Sequence, residues 1–423
     1  MSKIAVIGTG YVGLTTGACF AHVGHEVVCA DIDAGKVARL QRGEIPILEA
    51  GLENLVREGI DGGRLSFVVG AAAAVEDCEF AYLCVPTPQA PDGSADLSYI
   101  EDAAREIGPV LPSEAIVVNK STVPVGSTRV VERALGRSDV AVVSNPEFLR
   151  EGSAIHDFLH PDRIVIGAED QAAAVRVSSL YLGITAPVIV TDPASAETIK
   201  YAANAFLATK ISFINAVAAV CEAVGADIKD VALGMGYDSR IGHEFLKPGP
   251  GWGGSCFPKD TRAMVHIAES AGYDFNLLKG VVAVNDEQLN RVAEKIVDLA
   301  GGSVDGTRIG AWGLTFKART DDLRESPSLA VLARLVERGA IVRGYDPSMP
   351  GPIDGIEVVD DPYAAVEGAE VLAVLTEWDE FRWLDLDKVA DSMTGRSVVD
   401  ARNLLDRAAF VRRGFEYRGI GRS

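Results

Sequence analysis

The chain has 423 residues, and at roughly 150 residues per domain that is about 2.8 domains. Its composition, 48% hydrophobic and 24% charged, excludes a disordered chain. The balance of 40 basic and 60 acidic residues gives a net charge of −20, which argues against nucleic acid polymers or anionic membranes as partners. Any phosphorylated ligand must then be held by locally gathered Lys, Arg and backbone N–H groups.

No uninterrupted apolar run reaches the roughly 18 residues of a spanning helix. The N-terminus enters a strand at Lys3 without an apolar leader, so neither a secretory signal nor a membrane is expected. Cys19, Cys29, Cys78, Cys84, Cys221 and Cys256 form no C-x-x-C pair and no zinc spacing with histidine. Reduced thiols in a cytoplasmic protein without metal are the expectation.

Lys3–Ile7 reads as a strand, followed by Gly8-Thr9-Gly10-Tyr11-Val12-Gly13 and a small-residue helix through Ala21, stopped at Gly24. His25–Ala30 is a second strand, ending on Asp31, 18 residues beyond Gly13. This is a dinucleotide turn in its strand–helix setting. Gly8 permits the turn, Gly10 admits a pyrophosphate, and Gly13 allows helix and strand to pack closely. The helix N-terminus offers N–H donors to phosphate. Asp31 suits a ribose 2′-hydroxyl and repels a 2′-phosphate, so NAD is favoured over NADP.

Strands over 80–85, 115–119 and 140–144 end on loops carrying Thr87, Thr122 and Glu147–Glu151. In a parallel sheet such loops rim the ligand site. Asp192-Pro193 then opens a helix of about 32 residues, roughly 48 Å long, that Gly225 stops. Such a length suits a spine between domains and a subunit contact. Lys200 and Asn204 share one of its faces, which Leu207 and Ile211 continue.

Seven glycines between Gly234 and Gly254, with Phe245, Trp252, Phe257 and three prolines close by, predict an ordered loop that wraps a ligand. It leads into Ser255-Cys256-Phe257-Pro258-Lys259-Asp260. A cysteine in that setting is either a small buried residue or a nucleophile whose thiolate is favoured by a neighbouring cation. Beside a nicotinamide, a thiol traps an aldehyde as a thiohemiacetal, which loses hydride to become a thioester that water hydrolyses. Lys200 and Asn204 are candidates to stabilise the oxyanions. Asp260, Glu147 and Thr122 are candidates to activate the water.

The last third echoes the first. Strand 308–314, helix 326–338 and strand 341–345 ending on Asp346 form a second nucleotide fold, whose turn Gly310-Ala311-Trp312-Gly313-Leu314 lacks the dinucleotide pattern. The expected fold class is α/β, with two Rossmann-like doubly wound domains joined by a long central helix.

The motifs G-T-G-Y-V-G-L at 8–14, K-S-T-V-P-V-G-S-T at 120–128, N-P-E-F-L-R-E-G-S-A at 145–154, G-P-G-W-G-G-S-C-F-P-K-D at 249–260 and F-K-A-R-T-D-D-L-R-E-S-P at 316–327 closely resemble those of the UDP-glucose 6-dehydrogenases, within the nucleotide-sugar dehydrogenases. The resemblance runs over roughly residues 3–405. It implies an NAD-binding domain over 1–191, a central helical dimerisation region with the catalytic loop over 192–303, and a UDP-sugar-binding domain over 304–423. Cys256 is implied as nucleophile, Lys200 and Asn204 as oxyanion stabilisers, and Asp260, Thr122 and Glu147 as organisers of water and protons.

NAD is implied at Gly8, Gly10, Tyr11, Val12, Gly13, Asp31, Lys36, Thr87, Thr122, Glu151, Lys259 and Arg324. The UDP-sugar is implied at Glu147, Phe148, Leu149, Arg150, Glu151, Lys200, Asn204, Phe245, Leu246, Lys247, Pro248, Gly249, Gly253 and Lys317, with Arg240 reaching the substrate of a second subunit. Trp252 and Ala318-Arg319 depart from the residues common there.

The implied reaction takes UDP-glucose to UDP-glucuronate with two NAD⁺, in a homodimer built on the central helix. The rivals are a GDP-mannose or UDP-N-acetylmannosamine dehydrogenase with the same chemistry, or a non-catalytic regulator that binds NAD and nucleotide sugar.

Overall fold

The short apolar runs that end on polar loops are parallel strands buried on both faces. The computed structural model describes residues 1–90 and 94–422. They fall into two units, Met1–Ala203 with Arg262–Ala271, and Asn204–Thr261 with Gly272–Ser423.

The first unit is built on β1 (Lys3–Ile7), β2 (Glu26–Asp31), β3 (Leu65–Val69), β4 (Phe80–Leu83), β5 (Ile116–Asn119), β6 (Ala141–Ser144), β7 (Ile164–Gly167) and β8 (Val188–Thr191). Their order in the sheet is β3-β2-β1-β4-β5-β6-β7-β8. The first six strands are parallel in the order of a dinucleotide-binding fold. β7 turns antiparallel to β6, and β8 pairs parallel with β7.

Strand periodicity divides the core. Ile4 and Val6 of β1 pack into one cluster, whereas Ala5 and Ile7 pack into the other. β4 stops at Leu83, short of the expected 85, because Leu83 O accepts from both Lys120 N and Ser121 N and the ladder ends there.

The second unit repeats the plan with β9 (Arg308–Trp312), β10 (Ile341–Tyr345), β11 (Ile356–Val359), β12 (Val371–Val374), β13 (Ser397–Asp400) and β14 (Glu416–Gly419). They are all parallel, in the order β11-β10-β9-β12-β13-β14. β9 ends at Trp312, whose carbonyl accepts from both Leu375 N and Thr376 N.

The two first turns differ at atomic level. In the first, Gly8 lies at φ +95° and an added Cβ would stand 2.6 Å from Cys84 O, while one on Gly13 would stand 1.9 Å from Gly8 O. At Gly10 nothing lies within 4 Å. The three glycines thus serve turn, open approach and packing as their spacing predicts. In the second, the fully buried Asp346 accepts from Leu314 N, Thr315 N, Thr315 Oγ1 and Trp378 Nε1. That turn satisfies its own donors and offers no open phosphate cradle.

The helix Pro193–Val224 has 32 residues, with Asp192 accepting from Ser195 N and Gly225 at φ +76° just after it. By length and composition it is apolar enough to cross a bilayer, which the search for uninterrupted apolar runs does not register. Protein contacts nevertheless hold several of its polar residues. Glu197 accepts from Gly126 N, Thr128 N and Thr128 Oγ1, and Ser212 donates to Val281 O and accepts from Trp252 Nε1.

The glycine-rich loop is shorter than expected, because Gly234 lies inside and Gly236 ends the helix Ile228–Gly236. The rest is ordered by protein. Gly249 N donates to Asn215 Oδ1, its carbonyl accepts from Gln288 Nε2, and Trp252 N donates to Asn285 Oδ1. A Cβ on Gly253 would stand 2.0 Å from Glu325 O, and one on Gly254 2.7 Å from the Phe316 ring. Both glycines admit neighbouring chain at close range.

Gly13→Ala should therefore force helix and turn apart. A loss of about 1–3 kcal/mol in urea unfolding is expected, together with loss of the dinucleotide.

Candidate functional site

In the first unit the rim is the row of loops beyond β1, β2, β4, β5 and β6. The helix Tyr11–His22 starts at Gly10 with no side-chain cap and no acidic residue in its first turn. Its N–H donors, beside the open space at Gly10, fit a pyrophosphate.

Asp31 closes this turn by accepting from Thr9 N, Thr9 Oγ1 and Asp33 N, and it pairs with Lys36 Nζ at 3.0 Å. Burial raises its pKa, but these hydrogen bonds outweigh burial and bring it down to about 2. Lys36, expected to touch NAD, is thus seated on Asp31. Val12 is half-buried and packs against the core.

Tyr11 Oη bonds Glu49, and Glu49 accepts from Gly152 N at 2.7 Å and Ala154 N at 2.9 Å. Glu49 thereby ties the segment after β6 to the dinucleotide turn. It was not foreseen, because its partners lie 38 and about 100 residues away in sequence. Thr87 Oγ1 donates to Thr122 O at 2.9 Å, joining two rim loops.

The segment after β6 carries the charges. Glu147 is buried, its Oε1 accepts from Lys200 Nζ at 2.9 Å and its Oε2 from Leu149 N at 2.6 Å. Burial alone would raise the Glu147 pKa. The charge and hydrogen bond of Lys200, the Leu149 N–H and the charge of Lys120 win, and the carboxyl lies below its ordinary value. The Phe148 ring lies 5.5 Å from Lys200 Nζ and 3.6 Å from the Arg163 guanidinium carbon. Arg150 holds Asp157 through its backbone N–H, Nε and Nη2, and Glu151 is half-buried.

In the second unit the helix Phe257–Ser270 starts directly after Cys256, whose carbonyl accepts from Asp260 N at 2.9 Å. Cys256 is therefore the N-cap of a 14-residue helix, where the peptide dipoles favour a thiolate. The loop setting of the motif did not reveal this dipole. The other five cysteines are buried and Cys256 is partly exposed. Burial pushes the thiols of Cys19, Cys78 and Cys84 up to about 12.

Asp260 is buried, accepting from Lys259 Nζ at 2.7 Å and Asn204 Nδ2 at 2.6 Å. Lys259 and Asn204, expected at cofactor and oxyanion, both meet on this carboxylate. Phe245 lies at φ +62° with its ring 6.3 Å from that of Phe257. Leu246 is buried, Lys247 exposed, Pro248 half-buried and Gly249 buried. Lys317 Nζ lies 5.3 Å from the Phe316 ring centre. Arg324 bonds Asp322, and the exposed Arg240 bonds Asp238.

The first turn, its acid and the ionic rim define a dinucleotide-dependent protein with a partly exposed thiol and a second nucleotide fold. The chain belongs to the UDP-glucose/GDP-mannose dehydrogenase family, whose NAD binding, central and UDP binding domain descriptions match residues 2–185, 194–287 and 310–407. NAD is its cofactor.

A UDP-glucose 6-dehydrogenase from Rhizobium meliloti is 47% identical over 99% of each chain. The structure of a UDP-glucose dehydrogenase from the archaeon Pyrobaculum islandicum is 40% identical, with a TM-score of 0.92 over 100% of this chain and 98% of that one. That of a UDP-N-acetylmannosamine dehydrogenase from Pyrococcus horikoshii is 27% identical, with a TM-score of 0.88 over 99% of each.

Two outcomes are expected of the ionic groups. Lys200→Met should cost about 3–5 kcal/mol by stranding the buried Glu147 carboxylate, and adding Glu147→Gln should recover part of that loss in urea unfolding. Asp31, whose pKa is depressed on folding, stabilises the protein fully above about pH 4, and the contribution fades as the pH falls toward 2. Asp31→Asn should flatten the acid side of thermal stability across that window and weaken the preference for NAD over NADP.

Proposed function

We propose that the chain oxidises UDP-glucose to UDP-glucuronate in two steps through a Cys256 thioester. The observation that carries the chemistry is the position of Cys256, partly exposed at the N-terminus of a 14-residue helix. NAD supplies the hydride acceptor, one NAD⁺ for each two-electron oxidation.

The primary alcohol first becomes an aldehyde, releasing one proton. The Cys256 thiolate adds to the aldehyde carbon, and the oxyanion formed is stabilised by the ammonium of Lys200 and the amide of Asn204. Loss of hydride from that carbon leaves the thioester. Water then adds, the C–S bond breaks, and the acid leaves with Cys256 restored. Glu147, Asp260 and Thr122 organise the water and the proton transfers, as lowered pKa at Glu147 and the Asn204 and Lys259 bonds to Asp260 support.

The segment 147–151, Phe245–Gly249, Gly253 and Lys317 are proposed to meet the UDP-sugar. Thr87, Thr122, Glu151, Lys259 and Arg324 are proposed to meet NAD. The family's two nucleotide-binding descriptions support a cofactor and a nucleotide sugar as the two ligands. Glucose is favoured over N-acetylmannosamine by identities of 47% and 40% against 27%.

A homodimer through the long helix is supported by Phe206, Phe213 and Val220, which stand exposed at seven-residue spacing. In that assembly Arg240 would reach the substrate of the second subunit. The proposed division is 1–191, 192–303 and 304–423.

The test is NADH release and acid formation with UDP-glucose, GDP-mannose and UDP-N-acetylmannosamine. Two NADH per acid are expected with UDP-glucose, and a ratio near one would contradict the four-electron scheme. Cys256→Ser should bind NAD normally and lose acid formation on the order of 10³-fold or more.

A further inference from the structure

Lys120 follows β5 and has no part in the chemistry assigned so far. Its side chain is 5% exposed, and its ammonium donates to Asn145 Oδ1 at 3.2 Å and to Tyr181 Oη at 3.4 Å. Both acceptors are neutral. Tyr181 Oη donates to Asn145 Oδ1 at 2.6 Å, and Asn145 Nδ2 donates to Val165 O at 2.8 Å, so the seat is fixed from two sides. Desolvating an ammonium onto neutral acceptors costs several kcal/mol unless a nearby charge offsets it.

Glu147 is that charge. Lys120 and Glu147 line one cavity of about 40 Å³ in the first unit. The groups around Glu147 are Lys200 on the long helix, Lys120 after β5, Cys84 after β4, Asp157 on the helix Ala154–Leu159, Arg163 before β7 and Tyr181. Burial pushes the Cys84 thiol up to about 12, and Arg150 pairs with Asp157 at 2.6 Å. Two ammonium groups therefore act on one carboxylate.

We propose that Lys120 is a positioning residue for the reaction: seated on Asn145 and Tyr181, its ammonium is the second cation that holds Glu147 as a carboxylate, so that Lys200 keeps positive charge for the substrate oxyanions. This rests on the proposed part of Glu147 in proton transfer. Without Lys120, Glu147 would take up a proton at higher pH, and activity would fail earlier as the solution is acidified.

The test is the pH profile of kcat in the full-length protein, with saturating NAD and UDP-glucose, for Lys120→Met, Lys120→Gln and Lys120→Arg, together with each Tm. The acidic limb should move up by about one pH unit in the Met and Gln variants, with kcat falling more than KM rises, and should return toward wild type in the Arg variant. If Lys120→Met does not fold, the Gln and Arg variants decide.

A Gln variant that lowers Tm but leaves the limb in place overturns the proposal, as does an Arg variant displaced as far as Gln. Glu147→Gln separates the two ideas. A wild-type limb in that variant removes Glu147 from the profile, whereas its loss there with an unmoved limb in Lys120→Gln removes Lys120 alone.

Discussion

A carboxylate taken out of water must be paired or protonated, and the buried acids bonded to the long helix answer to that constraint. One helix, Pro193–Val224, meets it twice. Lys200 holds Glu147 and, one turn later, Asn204 holds Asp260. Both acids are buried, and each of these bonds fixes a carboxylate in place. The same helix carries both polar groups and apolar residues, some of them buried and others, such as Phe206, Phe213 and Val220, exposed.

The same constraint separates two copies of one fold. The first six strands of the first sheet run in the order of the six in the second, and both second strands end beside an aspartate. In the first copy Asp31 closes the turn from the side and leaves the space at Gly10 open. In the second, Asp346 collects the N–H groups of Leu314 and Thr315 for itself, with Trp378 beside it. One fold thus gives an open phosphate cradle and a closed one, by where a single carboxylate spends its hydrogen bonds.

Much of the site was legible because its logic is local. Gly8, Gly10 and Gly13 answer to steric demands within a few residues, and Lys200 and Asn204 share a face by helical period alone. The long helix announced both ends through Asp192 and Gly225. Local logic does not reach contacts with distant chain. Glu325 and Phe316, far along the sequence, stand against Gly253 and Gly254. Glu49 lay in no recognised motif, since its bonds to Tyr11, Gly152 and Ala154 join segments far apart in sequence.

By itself the sequence determined the two α/β units, the dinucleotide turn and the long helix, since each follows from period, spacing or steric need along a few turns of chain, and it singled out Cys256 as a candidate. Only the tertiary structure decided which carboxylate each cation holds, that Cys256 caps a helix, and that Asp346 closes the second turn. Those outcomes depend on which groups lose water together, and that is settled by packing between residues far apart in the chain.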